Sequence, residues 1–383
     1  MEVTYLASSP NGDIPLGPDH LSAPFRLSLD ESHPFLSLGD YLNGLRDFLL
    51  ADGGRMLSRI LGDKVRHEIP PEKLGSLLIR TEKHGAMYHV ASIEIQAGLD
   101  QIKLCSSTAF SEQARNWLTR EVETLKELHR RFGLPHLPVP VLFGKAAFGS
   151  GNREISALVL LADWFEGFHE WHLNAVKPGG RPRVEIWDQA RGYRWATEGE
   201  SRSLFRGATR ILSRYYDPDG FMQVRAWHHA AGDFVVRPRN NELDVRLTTA
   251  RAYTPLPGLS PADGTMPAVA LAYFFLDTVL RMRLDRKEGV GKALWAGDDA
   301  LEAAVEGFFA GLAQRRLSGG PVLEENTKVL DLLCSFSTKD LLTLHGPVLG
   351  FLAEEAVLER ALIESRLDDH VTALHRVLPR VRG

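Results

Sequence analysis

A handful of side chains have the types and spacing to do chemistry. Lys103, in Gln101-Ile102-Lys103-Leu104, is an amine on an alternating, strand-like run. Glu121 follows Leu118 by three residues and precedes Leu125 by four, so on a helix it shares the apolar stripe, whereas Glu123 does not. A carboxylate on such a stripe calls for a cation. The plainer alternative is a Glu at the stripe's edge and a Lys facing water. Further on, Ala226-Trp227-His228-His229-Ala230-Ala231-Gly232-Asp233 brings together two imidazoles and a carboxylate. A neutral imidazole can take a hydroxyl proton near neutral pH, and a carboxylate suits a hard cation such as Mg²⁺. Asp244, Arg246 and Arg251 come next, an acid and two guanidiniums able to grip phosphate or carboxylate by two hydrogen bonds, or simply to face water.

The elements that would position these groups follow from periodicity. Residues 1 to about 35 hold Pro10, Gly12, Pro15, Gly17, Pro18 and Pro24 and predict an irregular arm. Leu36, Leu38, Tyr41, Leu42, Leu45, Phe48 and Leu49 predict a helix, and Met56 to Leu61 a second, before Pro70-Pro71. Alternation then predicts strands at Leu77–Thr81, Met87–Ile95 and Gln101–Ser106. A helix capped by Ser111 follows and runs to about Phe132, then strands at Val139–Gly144 and Ile155–Ala162. Trp, Gly and Pro dominate to about Glu200, where Leu204, Ala208, Ile211, Leu212 and Tyr215 mark another helix. A loop from Asp217 leads to a hairpin, Phe234–Arg237 and Leu243–Leu247, turned at Pro238-Arg239-Asn240-Asn241. The rest is helical, near 267–284, 298–317, 323–335 and 338–378.

This order of elements over about residues 75–315 resembles the protein-kinase-like fold, in the branch of aminoglycoside phosphotransferases and choline kinases. The resemblance implies an α+β, two-lobed fold with a five-stranded antiparallel N-lobe carrying one helix and a mostly helical C-lobe. The domains would be an extension at 1–74, a small sheet lobe at 75–166 and a helical lobe at 167–383. It further implies ATP and Mg²⁺, with Lys103 on the α- and β-phosphates and Glu121 orienting it. Gly85, in Glu82-Lys83-His84-Gly85-Ala86-Met87, stands where the family has a glycine-rich hairpin, and Leu158 to Gly167 resembles the connector that meets adenine.

The catalytic loop fits the family in two registers. Anchored on the hairpin, Asp233 takes the place of the family's metal-binding Asn, His228 that of its catalytic Asp, and Thr248 that of its second metal ligand, with His228 or His229 assisting. Anchored on Gly232-Asp233, Asp233 is the catalytic acid and Asp244 the metal ligand, at the cost of a short loop. Arg246 and Arg251 then lie where an activation segment begins. Two readings follow: an ATP-dependent phosphotransferase acting on a small-molecule hydroxyl, and an inactive kinase-like module that binds a nucleotide or a partner protein.

Composition narrows the field. The 383 residues are 44% apolar and 25% charged, enough for two or three packed units and unlike disordered or fibrous chains. Lys and Arg number 45 against 49 Asp and Glu, a net charge of −4, so no nucleic-acid partner is expected. The longest uncharged apolar run, Gly264–Leu276, falls short of the about 20 residues a membrane span needs. Cys105 and Cys334 show no metal-ligand spacing and fit a reducing, cytoplasmic setting. Adjacent His228-His229 do not converge easily on one metal, and His169 and His172 need a helix that the sequence does not predict, so loop histidines bonded to backbone are expected. No Ser-His-Asp order, P-loop or dinucleotide fingerprint is present.

Overall fold

The computed structural model describes residues 1–9, 12–27, 31–84, 87–175, 180–188, 191–225, 227, 229–286, 291–317, 323–353 and 359–382. The protein is α+β, and its chain divides into two compact units, residues 1–129 with 138–166, and 130–137 with 167–383. Among the described residues no helix is long and apolar enough to cross a membrane.

The first unit contains β1 (Glu2–Ala7), β2 (Ile14–Pro15), α1 (Pro18–Ser22), β3 (Pro24–Arg26), β4 (Ser32–Ser37), α2 (Leu38–Leu50) and α3 (Arg55–Val65). It continues with β5 (Ser76–His84), β6 (His89–Ala97), β7 (Asp100–Ala109), α4 (Glu112–Phe132), β8 (Pro140–Phe148) and β9 (Ile155–Asp163). Its sheet has the order β2-β1-β5-β6-β7-β9-β8. The five expected strands are there, but the sheet is mixed and seven-stranded, which corrects the five-stranded antiparallel expectation. The irregular arm is likewise corrected: β1 pairs parallel to β5, from Glu2 opposite Ser76 to Ala7 opposite Thr81. Val3 and Tyr5 alternate with polar residues and pack against the core, so β1 satisfies its backbone on an edge that β5 would otherwise expose.

The two faces of this sheet are covered differently. Leu77, Ile79, Ala91, Ile93, Ile95, Leu104, Val159 and Leu161 form one core with Tyr41, Leu42, Leu45, Leu57 and Leu61 of α2 and α3. On the other face Ala109, Leu160 and Ala162 pack against Ala114, Leu118 and Val122 of α4. Ser111 caps α4 as the sequence predicts, its Oγ accepting from Ala114 N at 3.1 Å. Side chains alternate along β7, so Lys103 shares the α4 face with Ala109, while Leu104 points the other way.

The second unit begins with a meander the sequence does not announce, β10 (Glu170–Asn174), β11 (Arg183–Asp188) and β12 (Gly192–Trp195). It continues with α5 (Glu198–Arg214), β13 (Gln223–Arg225), α6 (Ala230–Asp233), β14 (Phe234–Arg239), β15 (Glu242–Leu247) and β16 (Ala252–Thr254). Then come α7 (Pro267–Arg281), β17 (Leu284–Arg286), β18 (Ala293–Trp295), α8 (Asp298–Leu317), α9 (Leu323–Ser335), α10 (Thr338–Ala353) and α11 (Arg360–Arg382). The hairpin turn places Asn240 at φ 50° and Asn241 at φ 62°, the left-handed pair of a type I′ turn that asparagine tolerates. α8 packs against α5, and side chains of α7 and α8 build an aromatic core in which Phe308 contacts Phe274 and Phe275 at 5.0 and 5.1 Å.

Two histidines lie fully buried where α10 meets α11. His345 Nδ1 is 2.7 Å from Leu341 O and so carries the proton, and the rings of His345 and His370 meet edge to face at 5.3 Å. Burial holds both imidazoles below their usual 6.5, the neighbouring charge of Arg283 adding to the effect at His370. Below that pH the unfolded chain takes up protons that the folded one refuses, so stability is complete above about pH 6.5 and falls as pH drops. Urea unfolding between about pH 5 and 8 is expected to show this, with a slope near 1.4 kcal/mol per pH unit for each histidine kept neutral. The double variant His345→Leu/His370→Leu should lower the slope by the share of these two residues, and an unchanged slope would exclude them as a source.

Candidate functional site

Each unit presents its own share of the expected site. In the first unit, the hairpin turn at Gly98-Leu99 sets Ala97 opposite Asp100 and, further out, Glu94 opposite Lys103. Lys103 Nζ lies 3.1 Å from Glu94 Oε1 and 4.6 Å from the ring centre of Trp164. Glu94 also meets Arg80 at 3.4 Å, and Arg80 meets Asp13 at 2.7 Å. The expected partnership of Lys103 with Glu121 is therefore replaced by a cross-strand pair with Glu94, which the turn geometry enforces locally. Glu121 is buried on α4 and Glu123 exposed, as their positions on the stripe predict.

Lys103 lines a cleft of about 530 Å³ with Lys64, Glu94, Gln101, Asp163, Trp164 and Glu166. Lys64 forms an ion pair with Asp163. Two amines face three carboxylates, so the cleft is formally negative by one charge, and a polyphosphate would enter it accompanied by its cation. Gly85 lies outside the described residues.

In the second unit, Asp233 ends α6 directly before β14 and is 4% exposed. Arg251 Nη2 is 2.9 Å from its Oδ1. Thr248, one residue past β15, donates to Asp233 O from its backbone N at 2.8 Å and from its Oγ1 at 2.9 Å. Asp233 and Thr248 thus sit side by side at the foot of the hairpin. Asp244 is inside β15 instead, opposite Arg237, whose Nη2 lies 3.1 Å from its Oδ2, and 3.3 Å from Arg246 Nη1.

His228 lies outside the described residues. His229 Nε2 is 3.3 Å from Oε1 of Glu359, a buried carboxylate that also meets Arg286 at 3.5 Å. Nothing in the sequence links residues so far apart, and Glu359 went unforeseen. His169 and His172 flank and enter a strand: His172 Nδ1 approaches Asp285 at 3.3 Å and His169 Nε2 approaches Asp188 at 3.7 Å. Each histidine meets a separate acid, and among the described residues no three His, Cys, Asp or Glu side chains gather as a metal cage would need.

Arg246 belongs to a further group. Its Nη1 is 3.4 Å from His136 Nδ1, and Arg214 Nη1 is 2.9 Å from His136 Nε2. Burial first, then Arg214, Arg246 and Arg210, lower the His136 pKa to about 3. No family model matches the sequence, and comparison with curated proteins gives no match.

Proposed function

We propose that the chain is a kinase-like module that binds a nucleotide with its Mg²⁺ and does not transfer phosphate. The Arg251–Asp233 ion pair carries this reading. Phosphoryl transfer depends almost wholly on positioned positive charge and metal-held phosphates. Here the acid at the hairpin's foot has its charge balanced by a guanidinium at 2.9 Å, and in the hairpin-anchored register a threonine takes the place of the second metal-holding carboxylate. A Mg²⁺ ion at Asp233 would have to displace Arg251. Nucleotide binding asks less, since Lys103 and the cleft around it remain.

Transfer to a small-molecule hydroxyl is the second reading, and His229 favours it. Glu359 stands 3.3 Å from Nε2, a carboxylate beside an imidazole as in an oriented acid–base pair. A thermal-shift titration separates the two. ATP with Mg²⁺ is expected to give a saturable stabilisation that Lys103→Ala weakens about tenfold or more, as the loss of one charged hydrogen bond predicts. No ADP should form above background with sugars, aminoalcohols or aminoglycosides as acceptors. Absence of any shift with nucleotides would overturn the binding reading in favour of a partner protein. ADP formation abolished by His229→Gln would establish the phosphotransferase.

A further inference from the structure

We propose that the second unit carries an oxyanion site, built by Arg210, Arg214 and Arg246 around His136, that takes the phosphate group of a small phosphomonoester. It is separate from the Lys103 cleft and does not rest on the nucleotide reading.

A count of donors and acceptors leads there. Arg214 and Arg246 each aim an N–H at a different nitrogen of one imidazole, at 2.9 and 3.4 Å. A neutral imidazole has one acceptor nitrogen and a charged one has none, so one of the two guanidinium contacts is donor against donor. Arg210 stands one turn before Arg214 on α5, its Nε is buried, and among the described residues its side chain has no hydrogen-bond or ion-pair partner. No carboxylate among the described residues lies within ion-pair distance of Arg210 or Arg214, while Asp244 is shared between Arg246 and Arg237. Buried donors without acceptors are costly, and clustered guanidiniums repel. The fixed fork of arginine matches phosphate oxygens two at a time, and a dianion offsets this excess charge better than a carboxylate does.

The electrostatics of neighbouring groups agree. His136 is held neutral by burial and by the three arginines, and Arg214 is itself depressed by burial and by Arg210. Tyr215, beside the same arginines, is pushed up by burial and stays un-ionised. A bound dianion would relax this field, so ligand occupancy is readable on His136 itself.

The test uses the full chain with inorganic phosphate and phenyl phosphate as probes, ionic strength being fixed with potassium chloride. Both are expected to raise the melting temperature saturably, phenyl phosphate reporting a monoester and inorganic phosphate the free ion. Arg214→Gln should weaken binding about tenfold or more, Arg210→Gln likewise should Arg214→Gln fail to fold, and Lys103→Ala should leave it unchanged. In NMR titrations the His136 C2 proton should report an upward-shifted pKa at saturating phosphate. A shift that chloride reproduces, one that survives in both arginine variants, one lost only in Lys103→Ala, or an unmoved His136 titration would each overturn the site.

Discussion

Asp277→Leu is expected to destabilise the second unit by about 3–5 kcal/mol in urea unfolding, among the largest effects of any single replacement outside the glycines. Asp277 and Arg281 pair one turn apart on α7, at 2.9 and 3.1 Å, and are 6% and 2% exposed. Their mutual attraction offsets the desolvation of both, so removing one leaves the other charged in a dry interior. The double variant Asp277→Leu/Arg281→Leu should regain at least half of the loss, because neither charge is then stranded. A double variant as unstable as the single one would show that the cost is packing and not charge. Arg281 Nη1 also reaches Trp227 O at 3.5 Å, so the pair touches the backbone just ahead of the His229–Asp233 segment.

Gly307→Val is expected to cost about 3 kcal/mol or more, with Gly311→Val close behind. A Cβ on Gly307 would run into Arg206 O and Thr209 Oγ1 of α5, and one on Gly311 into Ser213 Oγ and Arg210 O. These obstacles are largely backbone, which cannot swing aside, so α8 must lift off α5. Differential scanning calorimetry of the two variants should show a lowered transition, and a transition within a degree or two of wild type would mean that the helices are less closely seated than described. Gly311→Val would also move Arg210 and so should weaken phosphate binding, whereas Asp277→Leu should leave that affinity intact in whatever fraction stays folded.

The sequence discloses the elements of this protein better than their partnerships. Helices α2 to α5 and α7 to α9, strands β5 to β9 and the β14–β15 hairpin follow from period and turn residues, because burial of one face imposes the pattern directly. The burial of Glu121 was readable from the same stripe. The pairing of Lys103 with Glu94 was readable too, by counting outward from the Gly98 turn, as was Arg237 with Asp244 by counting from Asn240-Asn241. What misled was the density of Pro and Gly in the first 35 residues, which hid the short alternation of Val3 and Tyr5. The β10–β12 meander was obscured in the same way by its tryptophans and glycines. Arg251 on Asp233, Glu359 on His229 and Arg214 on His136 join residues 18, 130 and 78 positions apart, by subtraction of their numbers. No local period records such contacts, since tertiary packing alone selects them.

The interleaving of the two units has a consequence for how the molecule is made. Residues 130–137 belong to the second unit yet are flanked on both sides by the first. Phe132 stacks edge-on against Tyr215 at 5.3 Å, and His136 waits for Arg214 and Arg246. During synthesis this octapeptide leaves the ribosome well before α5 exists, so its contacts within the second unit form only after the strands on either side of it have been made. A gene split at Glu166 would hand it to the wrong half.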